Sequence, residues 1–206
     1  MRTRVKICGV TRSEDAEAAA RAGADAVGLN FYPPSPRFLS VEWARQLASA
    51  VPPFVTTVAV FVNPAAAEVY TVLERVRPAM LQFHGEEDPV FCAQFGVPYL
   101  KACRVKPGTD LLEYLRPFSS AAGWLLDSHV EEYGGAGESF DWSLVPAKRS
   151  RPLVLSGGLT RDNVGEAIRR VRPWAVDVSS GVESSKGIKD AVRIGAFIAE
   201  VRNADV

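Results

Sequence analysis

The chain has 206 residues, with 24 Lys+Arg balanced by 24 Asp+Glu and 47% apolar side chains. That length suits a single domain over residues 1–206 with a sizeable core, and the apolar content excludes global disorder. A formal net charge of zero argues against a polyanion-binding surface, so no nucleic-acid partner is expected, although backbone N–H groups can still hold a small anion.

Met1-Arg2-Thr3-Arg4 runs straight into a strand pattern at Val5–Cys8. Nothing there resembles a signal-peptide apolar region, and no apolar run is long enough to span a bilayer, so the chain reads as cytoplasmic with no membrane partner. Further strand patterns fall at Ala26–Phe31, Thr57–Val62, Met80–His84, Tyr99–Arg104, Trp124–Asp127, Leu153–Ser156 and Ala175–Ser179. Helical stretches alternate with them. Ser13 precedes Glu14–Ala22, Ser40 precedes Val41–Ala50, and Asn63-Pro64 opens Ala65–Arg75 with proline at the first helical position. Asp88-Pro89 repeats that device, Asp110 opens the next helix, and Thr160 precedes Arg161–Arg170.

Eight alternating units imply a parallel sheet with right-handed crossovers. The rival, an open doubly wound sheet, usually carries a Gly-x-Gly-x-x-Gly turn after its first strand. Here that turn reads Cys8-Gly9-Val10-Thr11. The predicted fold is therefore α/β, a single (β/α)₈ TIM barrel. It must be compact, because such barrels typically run to about 250 residues. The short Trp142–Ala147 segment marks helix 6 as the short or degenerate one. A small internal echo, Arg75-Val76-Arg77-Pro78 and Arg170-Val171-Arg172-Pro173, leads into strands four and eight.

Side chains two apart share a face of a strand. If the apolar phase faces the helices, the interior receives Lys6 and Cys8, Gln82 and His84, Lys101 and Cys103, Asp127, and Asp177 and Ser179. Buried polar groups need partners, so Lys6 and Lys101 are expected to form internal ion pairs with Asp127 or Asp177. Cys8, Asp127 and Asp177, at strand ends, open onto the C-terminal face where such barrels place their active sites. Two glycine turns follow the last two strands, Ser156-Gly157-Gly158-Leu159 and Ser179-Ser180-Gly181-Val182. Phosphate sites of this fold often lie there, so Gly157, Gly158, Ser179, Ser180 and Gly181 are candidate phosphate ligands. The three cysteines, Cys8, Cys92 and Cys103, are scattered without CxxC spacing, so neither a disulfide framework nor a zinc site is expected.

Several motifs occur together and in order along nearly the whole chain. They are Lys6-Ile7-Cys8-Gly9, Ser35-Pro36-Arg37, Leu81-Gln82-Phe83-His84-Gly85, Leu126-Asp127-Ser128, Gly134-Gly135-x-Gly137, Phe140-Asp141-Trp142, the Ser156–Leu159 turn and Asp177-Val178-Ser179-Ser180-Gly181-Val182-Glu183. As a set they resemble phosphoribosylanthranilate isomerase. The resemblance implies an Amadori rearrangement of N-(5-phosphoribosyl)anthranilate in tryptophan biosynthesis, without a metal or cofactor, in a monomer or homodimer. That reaction needs an acid to protonate the furanose oxygen and a base to remove the C2 proton. Asp127 fits the acid, since burial would raise a carboxyl pKa. Cys8 fits the base, with Lys6 as the cation that would favour its thiolate. With the resemblance, Arg37 is expected to meet the anthranilate carboxylate; Asp177 is read as binding a sugar hydroxyl or pairing with an interior lysine, and His84 as backing the site or forming its wall; Cys92, Cys103 and His129 are read as packing or solvated.

One departure concerns the loop after strand six. The family pattern places Thr or Ser and then Lys or Arg where this chain has Ala136 and Glu138. A lid contact through those positions loses its hydroxyl and its cation. Related phosphosugar barrels fit less well. Indole-glycerol-phosphate synthase would need a lysine–glutamate set, a ribulose-phosphate epimerase more histidines than His84 and His129, and a non-catalytic barrel no Cys8–Asp127 pair.

Overall fold

A computed structural model describes residues 2–106, 108–128 and 139–205. Eight parallel strands close into a barrel in simple sequence order: β1 (Arg4–Cys8), β2 (Ala26–Asn30), β3 (Thr56–Phe61), β4 (Met80–Phe83), β5 (Tyr99–Val105), β6 (Gly123–Ser128), β7 (Leu153–Leu155) and β8 (Ala175–Val178). The helices are α1 (Ser13–Ala22), α2 (Val41–Ala50), α3 (Ala66–Arg75), α4 (Pro89–Ala93), α5 (Leu111–Leu115), α6 (Arg161–Val171) and α7 (Ala191–Ala204). Among the described residues between β6 and β7, a 3₁₀ turn, Trp142–Leu144, is the only helical segment, as the short segment there predicts. The expected glycine loop Gly134–Gly137, with Ala136, Glu138 and His129, lies outside the described residues.

Most helix starts follow their sequence signals. The Ser40 hydroxyl accepts from the Trp43 N–H, Asp88 caps α4 ahead of Pro89, and Asp110 and Thr160 cap α5 and α6. Two starts differ from expectation. Ser13 is the first helical residue behind Arg12, which makes no side-chain cap. Pro64 stands before Ala65, the cap of α3, because Asn63 takes a left-handed turn (φ 48°) in which its side-chain oxygen accepts from the Glu86 N–H. The two Arg-Val-Arg-Pro echoes are matched helix exits. Arg77 and Arg172 both take positive φ, 56° and 47°, and the helix cannot continue through the proline that follows.

The larger core lies between barrel and helices, where Ile7, Leu29, Phe61, Phe83, Leu126, Leu155, Val176 and Phe197 are buried. Phe83 packs against the rings of Phe61, Phe91, Phe95 and Tyr99 at centroid distances of 5.8–6.2 Å. A smaller apolar layer, Leu100, Ala102, Leu125, Val154 and Ala175 with Met80, fills the inside of the barrel. This layer corrects the expected phase of strand five. Leu100 and Ala102 point inward, whereas Cys103 belongs to the helix-side core. Lys101, on that same outward phase, donates to the Gly85 carbonyl (2.6 Å) and the Glu87 carboxylate (2.8 Å). Both phases of this strand are largely apolar, so polarity did not mark the interior. The short α4 leaves a long amine room to reach the loop beyond β4.

Candidate active site

Lys6 and Asp177 sit opposite each other in the register of β1 and β8, and Lys6 Nζ lies 2.9 Å from both Asp177 oxygens. The pair is almost wholly buried. Burial works against the Lys6 charge, but Asp177 and the neighbouring Cys8 thiol raise its pKa overall. Above this pair, Cys8 ends β1. Gly28 on β2 makes the space for it: a Cβ there would lie 2.7 Å from Cys8 Sγ and 3.2 Å from Lys6 Cε. Burial pushes the Cys8 thiol above its ordinary value and Asp177 adds to the push, while Lys6 and Lys189 pull it back. Lys6 is thus beside the thiol, as expected, but Asp177 works against its pull.

Asp127, three strands round the ring, keeps 25% of its side chain exposed, so it is less buried than its strand position suggests. Its Oδ1 accepts from the Ser128 N–H at 2.9 Å, and its Oδ2 lies 3.0 Å from His84 Nε2. Gly157 crosses directly above with φ 86°. A Cβ there would meet Ser128 N at 2.3 Å and Asp127 Oδ1 at 2.9 Å. Gly157→Ala should therefore cost about 1–3 kcal/mol, the usual range for overpacking, and displace Asp127. Urea denaturation and turnover together check this; wild-type values in both would contradict it.

Arg37 is buried beside the pocket and grips Glu183 with two contacts of 2.7 Å, Nε to Oε1 and Nη2 to Oε2. Lys189 completes the group, donating to Glu183 Oε1 at 2.8 Å and to the Ser179 carbonyl and hydroxyl at 3.2 Å. Burial opposes the Glu183 charge, but Arg37 and Lys189 outweigh it and hold the carboxyl below its usual value. Burial also lowers the Lys189 pKa. A two-stranded hairpin, Glu183–Ser185 with Ile188–Lys189, carries both residues.

Several of these side chains meet in one recess at the C-terminal mouth of the barrel, with about 930 Å³ of space open to solvent. Its wall includes Cys8, Arg37, His84, Asp127 and Asp177, with Gly157, Gly158, Ser179 and Ser180 on the β7–β8 side. Gly181 lies behind that wall: a Cβ on it would be 2.1 Å from the Leu159 carbonyl, so its bareness lets the two turns pack together. The recess also contains Arg104, in register with Asp127 on β5. Sequence phasing missed Arg104 because assigning Lys101 to the interior turned Arg104 outward. Glu183 and Lys189 gave no periodic signal, since a short hairpin brings them to the site.

A (β/α)₈ barrel with acid, thiol and guanidinium groups gathered beside paired glycine turns defines an enzyme acting on a small anionic metabolite. The family model for N-(5′-phosphoribosyl)anthranilate isomerase matches residues 5–200. An N-(5′-phosphoribosyl)anthranilate isomerase from Dechloromonas aromatica (strain RCB) is 58% identical over 205 residues, covering 100% of this chain and 99% of its own. One from Pseudomonas aeruginosa (strain UCBPP-PA14) is 55% identical, covering 97% and 95%. Among solved structures, the Thermotoga maritima isomerase superposes with a TM-score of 0.91 at 44% identity, covering 98% and 99%. Another, solved with reduced 1-(o-carboxyphenylamino)-1-deoxyribulose 5-phosphate, gives a TM-score of 0.88 at 42% identity over the same shares. The chain belongs to the N-(5′-phosphoribosyl)anthranilate isomerase family and is an isomerase of tryptophan biosynthesis.

Proposed function

We propose that the chain converts N-(5-phosphoribosyl)anthranilate to 1-(2-carboxyphenylamino)-1-deoxyribulose 5-phosphate, with Asp127 as general acid and Cys8 as general base. The observation that carries this reading is the placing of both groups on one recess, flanking the glycine turns of β7 and β8. A phosphate held by Gly157, Gly158, Ser179 and Ser180, with Gly181 packing the two turns behind them, would set the sugar between them. Asp127 then gives its proton to the furanose oxygen as the C1–O bond opens to an iminium. Cys8 removes the C2 proton, and the enolamine that forms tautomerises to the ketone. Arg37, fixed by Glu183, takes the anthranilate carboxylate. Asp177 receives a sugar hydroxyl while retaining Lys6, and His84 backs Asp127.

The enzyme is assigned to the cytoplasm as a monomer or homodimer; a dimeric form is described for the Thermotoga maritima relative, and sedimentation separates the two states. Among the described residues no helix is long and apolar enough to cross a membrane.

Loss of anthranilate fluorescence on adding the protein to its substrate tests the activity directly, and unchanged fluorescence would refute it. The pH profile tests the base. A thiol raised above its ordinary value of 9.0 is protonated at neutral pH, so kcat/KM should climb as pH rises and not level off below about pH 9. A plateau reached at pH 7 would exclude Cys8 as the group deprotonated in the free enzyme.

A further inference from the structure

Gln82 of β4 and His84, just past the C-terminal end of that strand, stand two residues apart, both on the recess wall. His84 Nε2 faces Asp127 Oδ2 at 3.0 Å, and His84 Nδ1 lies 3.0 Å from the amide nitrogen of Gln82. An amide nitrogen has only donors, so Nδ1 must accept. A neutral imidazole that accepts at Nδ1 carries its proton on Nε2, where it points at Asp127. Turning the Gln82 amide over would present its oxygen to Nδ1 and reverse the tautomer.

The environment of Gln82 decides between the two orientations. The residue is 1% exposed, and its Oε1 has no hydrogen-bond partner among the described residues. In the reversed orientation the NH₂ group, with both its donors, would occupy that dry position. Orphaned buried N–H groups are rarer in proteins than under-satisfied carbonyls. The orientation that donates to Nδ1 is therefore favoured.

We infer that Gln82 is a positioning residue that locks His84 as the Nε2–H tautomer, so that His84 donates to Asp127 as its carboxylate forms. The inference rests on the reading of Asp127 as the acid. When Asp127 releases its proton to the sugar, the charge appearing on Oδ2 meets a donor already in place. The Ser128 N–H serves Oδ1 in the same way. Hydrogen bonds to an ionised group are the stronger kind, so the contact tightens along the reaction coordinate and assists turnover more than binding. Arg104 of β5 lines the same wall, its guanidinium 3.5 Å from the Glu86 carboxylate, and does not fix which imidazole nitrogen is protonated.

The test is the ¹⁵N spectrum of the imidazoles together with steady-state kinetics. His84 and His129 are the only histidines, and His84→Asn assigns the signals. Wild-type enzyme should show His84 with Nε2 protonated and Nδ1 bare. Gln82→Glu, which puts an acceptor in place of the donor, should move the proton to Nδ1. It should also lower kcat about 10- to 100-fold with KM changed less than about twofold, the signature of a contact made in the transition state. Gln82→Met, close to isosteric, should give a mixture of tautomers and a smaller fall in kcat. Protonated Nδ1 in the wild type, an unmoved tautomer in both variants, or wild-type kcat with a reversed tautomer would each overturn the inference. Wild-type turnover in Asp127→Asn would instead remove the acid itself, whatever the tautomer of His84.

Discussion

Asp127→Asn and Cys8→Ala should each reduce turnover by about 10²–10⁴-fold, the usual contribution of one positioned acid or base, while product binding persists. Asparagine keeps the shape of the side chain and can still receive the Ser128 N–H that Asp127 Oδ1 receives at 2.9 Å, so the fold around β6 should survive. What it lacks is a proton to give to the ring oxygen. Cys8→Ala removes a sulfur whose space is defined by Gly28 and leaves the Lys6–Asp177 pair intact. Anthranilate fluorescence measures the loss, and quenching by added product measures binding. Turnover near wild type in either variant would take that residue out of the mechanism.

Glu183→Ala should be the most damaging single change near the site. It leaves Arg37 and Lys189 buried without the carboxylate that both now contact at 2.7–2.8 Å. Breaking a buried ion pair from one side typically costs about 3–5 kcal/mol, because a desolvated charge is left behind. Glu183→Gln should cost less, since it keeps an acceptor. Urea midpoints give the difference, and a loss under about 1 kcal/mol in Glu183→Ala would show that water reaches the cluster. The same carboxylate carries a pH signature. Its folded value lies below its ordinary 4.5, so its stabilisation is present above that value and fades as pH falls through the folded value. The wild type should lose stability in that acid window and Glu183→Gln should lose less of it.

The reach of sequence reading differs from strand to strand. On β1, β4, β6 and β8 the apolar phase faces the helices, and alternation alone places Lys6, Gln82, Asp127 and Asp177 inside. On β5 the rule fails, because Leu100 and Ala102 supply an apolar interior while Lys101 is buried on the helix side against Glu87. A charged residue can lie on either face of a strand when a partner waits there, and sequence spacing does not reveal the partner. That inversion concealed Arg104. Arg37, placed by the sequence in a rigid loop, turns out to be buried and held by Glu183, 146 residues away along the chain.

By itself the sequence determined the eightfold alternation, the inward Cys8 and Asp127 and the two glycine turns, since each follows from local periodicity, capping or backbone sterics. Only the tertiary structure decided which carboxylate each buried cation meets. Lys6 is neutralised by Asp177 across the seam where β1 meets β8, and Arg37 and Lys189 share Glu183 through a hairpin beyond β8. Such pairings depend on which strand ends are brought together by closure of the barrel, and closure is a long-range property that no local pattern encodes.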